Sequence, residues 1–584
     1  MAEPDRHRPV RIANCSGFYG DRLSAAREMV EGGPIDVLTG DYLAELTMLI
    51  LWRTRLKRPD TGYATTFLRQ LEEVLGTCRD RGIRIVTNAG GLNPAGCAAA
   101  VRDLAGRLGV DVRVAHVEGD DLLARLPALQ AAGHDLANLD TGQPLAGAGV
   151  EPVTANAYLG GFGIAAALDA GADVVVCPRV TDAALVVGPA AWWHGWARDD
   201  WDRLAGAVVA GHVLECGAQA TGGNYAFFTE IADLSHPGFP LAEVAADGSC
   251  VVTKHPGTDG EVSIGTVTAQ LLYEIAGPAY ANPDAVARFD TIRLDDDGPD
   301  RVRISGVRGE PAPPTTKICL NHLGGFRNTT TFVLTGLDLA AKAELARRTL
   351  FEALGGEGAF DEVSVSSTRT DDGTLLRVTV KDREEARVGR AFSDAAIELA
   401  LASYPGFHLT APPSAGAPFG VYWPALVPAS EVPHVVVLDD GTRLDVPPVV
   451  AEPTTVDVTG PVVPPAPGGP TRVAPLGSII GARSGDKGGN ANVGLWARTD
   501  EAWAWLAATL TVDRFRELLP EAAELEVRRH ELANLRALNF VVVGLLGEGV
   551  ASSTRSDPQA KALGEQLRAC ELEIPTSLLD RGAP

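Results

Sequence analysis

At 584 residues, with 45% hydrophobic and 22% charged side chains, the chain is too long for one hydrophobic core, and two to four domains are expected. Its 75 acidic against 51 basic residues give a net charge of −24, which argues against nucleic acid and anionic membrane surfaces as partners. No apolar run reaches the ~20 residues that span a bilayer, the start MAEPDRHRPVRI lacks a secretory apolar core, and the 8 cysteines form no CxxC pair, so a cytoplasmic location with reduced thiols is expected.

In chain order, Val10 to Ser16 reads as a first strand leaving through Gly17 to Asp21, followed by a helix with Leu23, Ala26 and Val30 on one face. Ile35 to Leu38 is a second strand, leaving through Thr39-Gly40-Asp41-Tyr42 into a helix carrying Leu43, Leu46 and Leu49. After a helix with Leu68, Leu71, Leu75 and Cys78 comes the stretch IRIVTNAGGLNPAG, residues 83 to 96, a strand, a glycine turn and a helix start. Val110 to Val117 is a fourth strand, Asn156 to Ala170 a helix rich in small residues, and Ala172 to Cys177 a fifth strand leaving through Pro178-Arg179-Val180-Thr181-Asp182. Strands alternating with helices predict an α/β fold: a mainly parallel, Rossmann-like, doubly wound sheet over residues 1–225, with ligands beyond the C-terminal strand ends.

Past residue 225 the pattern changes. Val251-Val252, Val262 to Val267, Thr291 to Leu294 and Val302 to Val307 read as strands, and the order strand, helix, strand, strand, helix from Thr329 to Ala402 suggests a ferredoxin-like α+β sandwich inside residues 226–446. Residues 447–474 are proline-rich and nearly uncharged, a semi-rigid linker that predicts a separable C-terminal segment, 475–584, opening with the strand, loop and strand of SIIGARSGDKGGNANVGLWAR.

The chain holds no GxSxG elbow, Walker A loop, HExxH, or GxGxxG opening a βαβ unit. Candidate chemistry therefore rests on the strand-exit loops. Asn88 with the backbone N–H groups of Gly90 and Gly91 suits a carbonyl or phosphate, against the plainer reading of a tight turn. Arg179 suits an anion and Asp182 proton transfer, against a local salt bridge closing the loop. Ser16, Asp21, Asp41 and Glu45 lie on the first two exit loops, where an aspartate is more often a helix cap. His212 and Glu215 have the i, i+3 spacing that can share a metal, but two ligands are not a site, and a packed core histidine is the favoured reading. Arg483 and Lys487, in the glycine-rich RSGDKGGN, suit phosphate or carboxylate recognition as well as a charged hairpin turn.

These stretches also carry a resemblance. CSGFYGDR, DVLTGDYLAELTM, NAGGLNP, NAYLGGFGIAAALDAGADVVV, RVTDAAL and AGHVLECGAQATGG, in this order, resemble the acyclic terpene utilisation (AtuA-type) family over roughly residues 10 to 440. ARSGDKGGNANVGLWAR, NLRALNFVVVGLLGEGV and DPQAKALG look like the ferredoxin-like domain often attached to it. Around Ile318 to Phe326 the chain departs from the family pattern with Cys319, Asn321 and His322. The resemblance implies a protein of branched or terpenoid acyl-CoA catabolism. The reading favoured here is a hydratase or carbon–carbon lyase on a CoA thioester, with Asp41, Asn88, Arg179 and Asp182 as catalytic residues. Ser16, Gly90, Gly91, Arg483 and Lys487 would hold the ligand. CoA enters as part of the substrate, no other cofactor is named, and a divalent metal lacks support. The alternative is a non-catalytic, thioester-binding accessory subunit of an acyl-CoA carboxylase pathway. A homo-oligomer and an acyl-CoA carboxylase stand as open partners.

Overall fold

Five short strands form the centre of a large sheet: β1 (Val10–Asn14), β2 (Val37–Gly40), β3 (Arg84–Thr87), β4 (Val114–Glu118) and β5 (Val174–Val176). In the computed structural model, which describes residues 6–449, 451–458 and 460–580, they run parallel in the order β1-β2-β3-β5-β4. Val86, Val174, Val175 and Val176 are buried, as expected of strands covered on both faces by helices.

The expected doubly wound, mainly parallel sheet is corrected at its flanks. Antiparallel strands Pro240–Val244, Cys250–Lys254, Arg301–Ser305 and Arg293–Asp296 extend the β1 side, and Val435–Val437 and Arg443–Asp445 extend the β4 side, giving a mixed sheet of 11 strands. The reason is local. The link from Val244 to Cys250 is a tight turn with Gly248 at φ +86°, and so short a link can only return antiparallel.

Two element expectations also change. The predicted helix 156–170 begins only at Phe162, its first two positions closing the strand Pro152–Ala157. Residues 262–267, read as a strand from their β-branched content, instead begin the helix Ile264–Leu271. There Ser263 and Thr266 form a reciprocal capping box that satisfies the first N–H groups and outweighs weak propensity.

The chain divides into two compact units. One comprises residues 321–422 and 551–558. It has the expected strand–helix–strand–strand–helix order, with helices Leu339–Ala353 and Arg390–Glu398 packed through Leu350 and Phe392 against Phe332 and Val378 of its sheet. The other takes in residues up to 320, 423–550 and from 559 onward.

The C-terminal segment thus belongs to the unit of the large sheet. Its four-stranded antiparallel sheet joins Ile480–Lys487, Asn490–Ala497, Ala537–Val542 and Val527–Leu532, with Phe515 stacked on Phe540 at 4.3 Å in its own core. The described residues of 447–470 form neither helix nor strand (Val450 and Thr459 lie outside them). The segment beyond, read from sequence as separable, also packs on the large-sheet unit. Trp496, Leu532, Leu535 and Ala537 are part of the main hydrophobic core, and Asn534 Nδ2 donates to the carbonyls of Phe289 and Ile292.

Candidate functional site

The C-terminal ends of the parallel strands deliver buried polar side chains to one edge. Asp41 follows β2 and Asn88 follows β3, and Asn88 Nδ2 donates to Asp41 Oδ1 at 2.6 Å while its Oδ1 accepts from the Tyr42 N–H at 2.8 Å. The Asp41 N–H donates to the Ser16 carbonyl at 3.0 Å, tying the loop after β1 to the same knot. Ser16 itself turns inward, its hydroxyl donating to the Phe18 carbonyl at 3.0 Å.

The N–H groups of Gly90 and Gly91 donate to the carbonyls of Cys177 at 3.0 Å and Asn88 at 3.2 Å. Both donors are spent inside the turn rather than aimed at a ligand. A Cβ at Gly90 would meet the Cys177 carbonyl at 2.5 Å, and Gly91 sits at φ +52°, so the glycines serve a close approach of two strand exits.

Arg179, after β5, is 2% exposed. Its Nη1 donates to Asp182 Oδ1 at 2.8 Å and to the Val180 carbonyl at 3.0 Å, its guanidinium lies 4.2 Å from the centre of the Tyr158 ring, and its Nε has no partner. Its backbone N–H donates to Asp120 at 3.2 Å, and the same carboxylate accepts from Asn156 Nδ2 at 2.7 Å. The Tyr158 hydroxyl donates to Glu45 Oε1 at 2.7 Å, and Lys317 Nζ stands 3.7 Å from that oxygen. Arg179, Tyr158, Glu45 and Lys317 therefore form one row of alternating charge.

The opposite wall comes from later in the chain. Glu215 caps the helix Trp201–Leu214, Glu274 sits at φ +55° just past the helix Ile264–Leu271, and Asp486 and Lys487 end the strand Ile480–Lys487. Lys487 Nζ is 5.5 Å from the centre of the Tyr280 ring, and the Arg483 guanidinium 4.4 Å from that of Tyr273. Asn492 Oδ1 accepts from the Glu274 N–H at 2.7 Å and Asn539 Nδ2 donates to the Ile275 carbonyl at 3.1 Å, with Asn492 and Asn539 bonded to each other. This amide clamp docks the C-terminal hairpin against residues 274–275.

The carboxyl groups divide into two kinds. Burial and then the charge of Asp182 hold Asp41 and Glu215 well above the ordinary carboxylate range. Burial raises Glu274, and burial with the charge of Glu274 pushes Asp486 up to about 8. Glu45 goes the other way: burial would raise it, but Lys317, Arg179 and the Tyr158 hydroxyl bring it down to about 2. One carboxyl group is thus held low among several that burial raises beside a buried cation.

A stability test follows. The unfolded Asp486 carboxyl loses its proton near 3.8, the folded one only near 8, so ionising it costs the fold progressively between those values. Asp486→Asn removes that cost. Relative to the parent, the variant is expected to gain stability as pH climbs from about 4, the gap reaching of the order of 1–2 kcal/mol for this half-buried side chain and no longer widening above about 8. Urea unfolding from pH 4 to 9 measures it, and a pH-independent gap would refute it.

His212 is a packed core histidine. It is fully buried between Tyr280 and Phe289, with ring centres 5.1 and 5.5 Å away, and burial followed by the charge of Lys487 lowers it to about 4, leaving it neutral. Glu215 Oε1 comes within 3.0 Å of Nδ1, but neither ring nitrogen has an aligned hydrogen-bond partner. Among the described residues no group of three His, Cys, Asp or Glu side chains is arranged to hold a metal.

Of the candidates read from sequence, Ser16, Asp41, Asn88, Arg179 and Asp182 meet at one edge, and Arg483 and Lys487 reach the wall facing it. Tyr158, Glu274 and Lys317 went unnoticed, because a lone tyrosine, glutamate or lysine carries no motif. A pocket with about 60 Å³ of internal space also borders Tyr158, lined chiefly by apolar side chains such as Leu159, Phe162, Val432 and Val446.

Residues 10–438 match the family model described as "Acyclic terpene utilisation family protein AtuA", and residues 474–573 match the one described as "AtuA ferredoxin-like domain". No curated protein and no solved structure matches the chain.

Proposed function

We propose that this chain, which belongs to the acyclic terpene utilisation family AtuA, acts on the CoA thioester of a branched acyl acid as a hydratase or carbon–carbon lyase. The observation that carries the reading is Arg179: a buried guanidinium with an unpartnered Nε, beside the carboxyl groups of Asp41 and Glu215, which burial raises above the ordinary carboxylate range. Both reactions put negative charge on a thioester oxygen. In hydration, a base takes a proton from water as its oxygen bonds the β-carbon, and an acid then protonates the α-carbon. In cleavage, the base takes the β-hydroxyl proton as the Cα–Cβ bond breaks, and the acid again protonates the α-carbon. Arg179 suits the oxygen that carries the charge between those steps.

Asp41 and Glu215 suit the acid. Asp486, titrating near neutrality, suits giving and taking a proton, whereas Glu45, ionised down to about 2, is too weak a base and instead fixes Tyr158 and Lys317. Arg483 and Lys487 suit an anionic group on the acyl part of the ligand, such as a carboxylate, and the apolar pocket beside Tyr158 offers an acyl chain room. Asn88 positions Asp41.

Incubation of the purified protein with branched acyl-CoA esters and mass analysis tests the reading. Gain or loss of one water, or splitting into a shorter acyl-CoA and a carbonyl compound, is expected, and Asp41→Asn should slow it by roughly 100-fold or more. Tight binding with no mass change would refute it and favour the accessory, thioester-binding role.

A further inference from the structure

The helix Glu45–Lys57 begins in the cleft, where Glu45 accepts from Tyr158, and leads away from it. At 100° per residue, Leu46, Ile50, Arg53 and Lys57 fall within about 60° of one another, a single stripe along the helix. The stripe is open to water: Leu46 is 43% and Ile50 38% exposed, Arg53 is half-buried and Lys57 exposed. Its character changes along its length, apolar in the first two turns next to the cleft and cationic at the far end, where Arg55 and Arg58 add two more exposed charges. Arg55, Lys57 and Arg58 make no ion pair with a carboxylate among the described residues, which is unusual on a chain of net charge −24.

From the thioester reading above, on which it rests, we infer that this stripe is the seat of the nucleotide end of coenzyme A. From Glu45 to Lys57 the helix rises about 18 Å, twelve steps of ~1.5 Å, a span comparable with the extended arm between the sulfur and the phosphates of that molecule. The arm is uncharged and lies along Leu46 and Ile50. The phosphates, including the one on the ribose, meet Arg53, Lys57 and Arg58. Charge complementarity selects this ligand over others: four cations in six residues, 53 to 58, make a local positive field on an acidic protein. A membrane surface is disfavoured because the remaining charge repels anionic lipid.

The experiment measures binding of coenzyme A, and of coenzyme A lacking its ribose phosphate, to the full chain and to Arg53→Gln/Lys57→Gln, with Lys57→Glu as a second variant should the double one fold poorly. Expected are a tenfold or greater loss of coenzyme A affinity in the variants, a smaller loss for the dephosphorylated form, and weakening of parental binding by salt. A short thioester without the nucleotide should be handled alike by parent and variants. Equal coenzyme A affinity in all proteins overturns the inference while leaving the thioester reading intact. Absence of coenzyme A binding by the parent overturns both. Parental binding to vesicles rich in phosphatidylserine that the variants lose, or a concentration-dependent dimer that they break, would assign the stripe to a membrane or a second copy instead.

Discussion

Arg179→Ala is expected to cost the fold roughly 3 kcal/mol and to slow thioester turnover by about 100-fold or more in the molecules that stay folded. Sequence alone set an anion-binding arginine against a local salt bridge, but its burial requires both losses together. Removing the guanidinium strips Asp182 of its 2.8 Å partner and the Tyr158 ring of its cation. It also removes the charge that opposes the rise of Asp41 and Glu215. Asp182 is partly exposed, which keeps the cost at the lower end for a broken buried pair. Urea unfolding of Arg179→Ala, Asp182→Asn and the double variant reads the coupling directly: the double variant should recover part of the loss, because the unpaired carboxylate is gone. An Arg179→Ala protein as stable as its parent, turning thioester over at the same rate, would remove Arg179 from the centre of the site.

A chain ending at Pro470 is expected to lose its cooperative unfolding transition altogether. The cut removes Trp496, Leu532, Leu535 and Ala537 from the main core, the stacking of Trp496 on Tyr225 at 6.2 Å, and both arms of the amide clamp on residues 274–275. At about 1.5–3 kcal/mol for each large apolar side chain unburied, the loss is of the order of 5–10 kcal/mol, comparable with the whole stability of a domain. Calorimetry and size exclusion of the truncated chain check this. A soluble product with a sharp melt would mean that the interface is dispensable and the proline-rich stretch a true boundary.

The parallel strands were legible because each is short, rich in valine or isoleucine or β-branched at its core, and leaves into a polar or glycine-containing loop. Arg179, Asp41 and Asn88 were legible because topology brings strand ends to a common edge whatever the loops between them do. The antiparallel flanks were not, since Val251-Val252 looks the same in either direction and only the tight turn at Gly248 decides. The helix at 264–271 hid behind β-branched residues until the hydroxyl of Ser263 was seen capping it. Half of the cleft was hidden for a different reason. Glu274 and Asp486 acquire their role from packing between segments far apart in the chain, which no local pattern records. The composition of residues 447–474 pointed the other way, because proline content reports the stiffness of a connection and not whether its two ends embrace.

The amide clamp, Asn492 and Asn539 on residues 274–275, carries a consequence for how the molecule is made. Glu274 is synthesised about two hundred residues before Asp486, the clamp's asparagines and the hairpin that carries them. At ~5–20 residues per second the interval is on the order of half a minute, during which the strand edge stands open to water with its carboxylates ionised. When the hairpin arrives and the clamp closes, desolvation falls on groups already in place, raising Glu274 and pushing Asp486 up to about 8, so that Asp486 takes up a hydrogen ion as it is enclosed. The last stage of maturation is therefore a protonation as well as a docking.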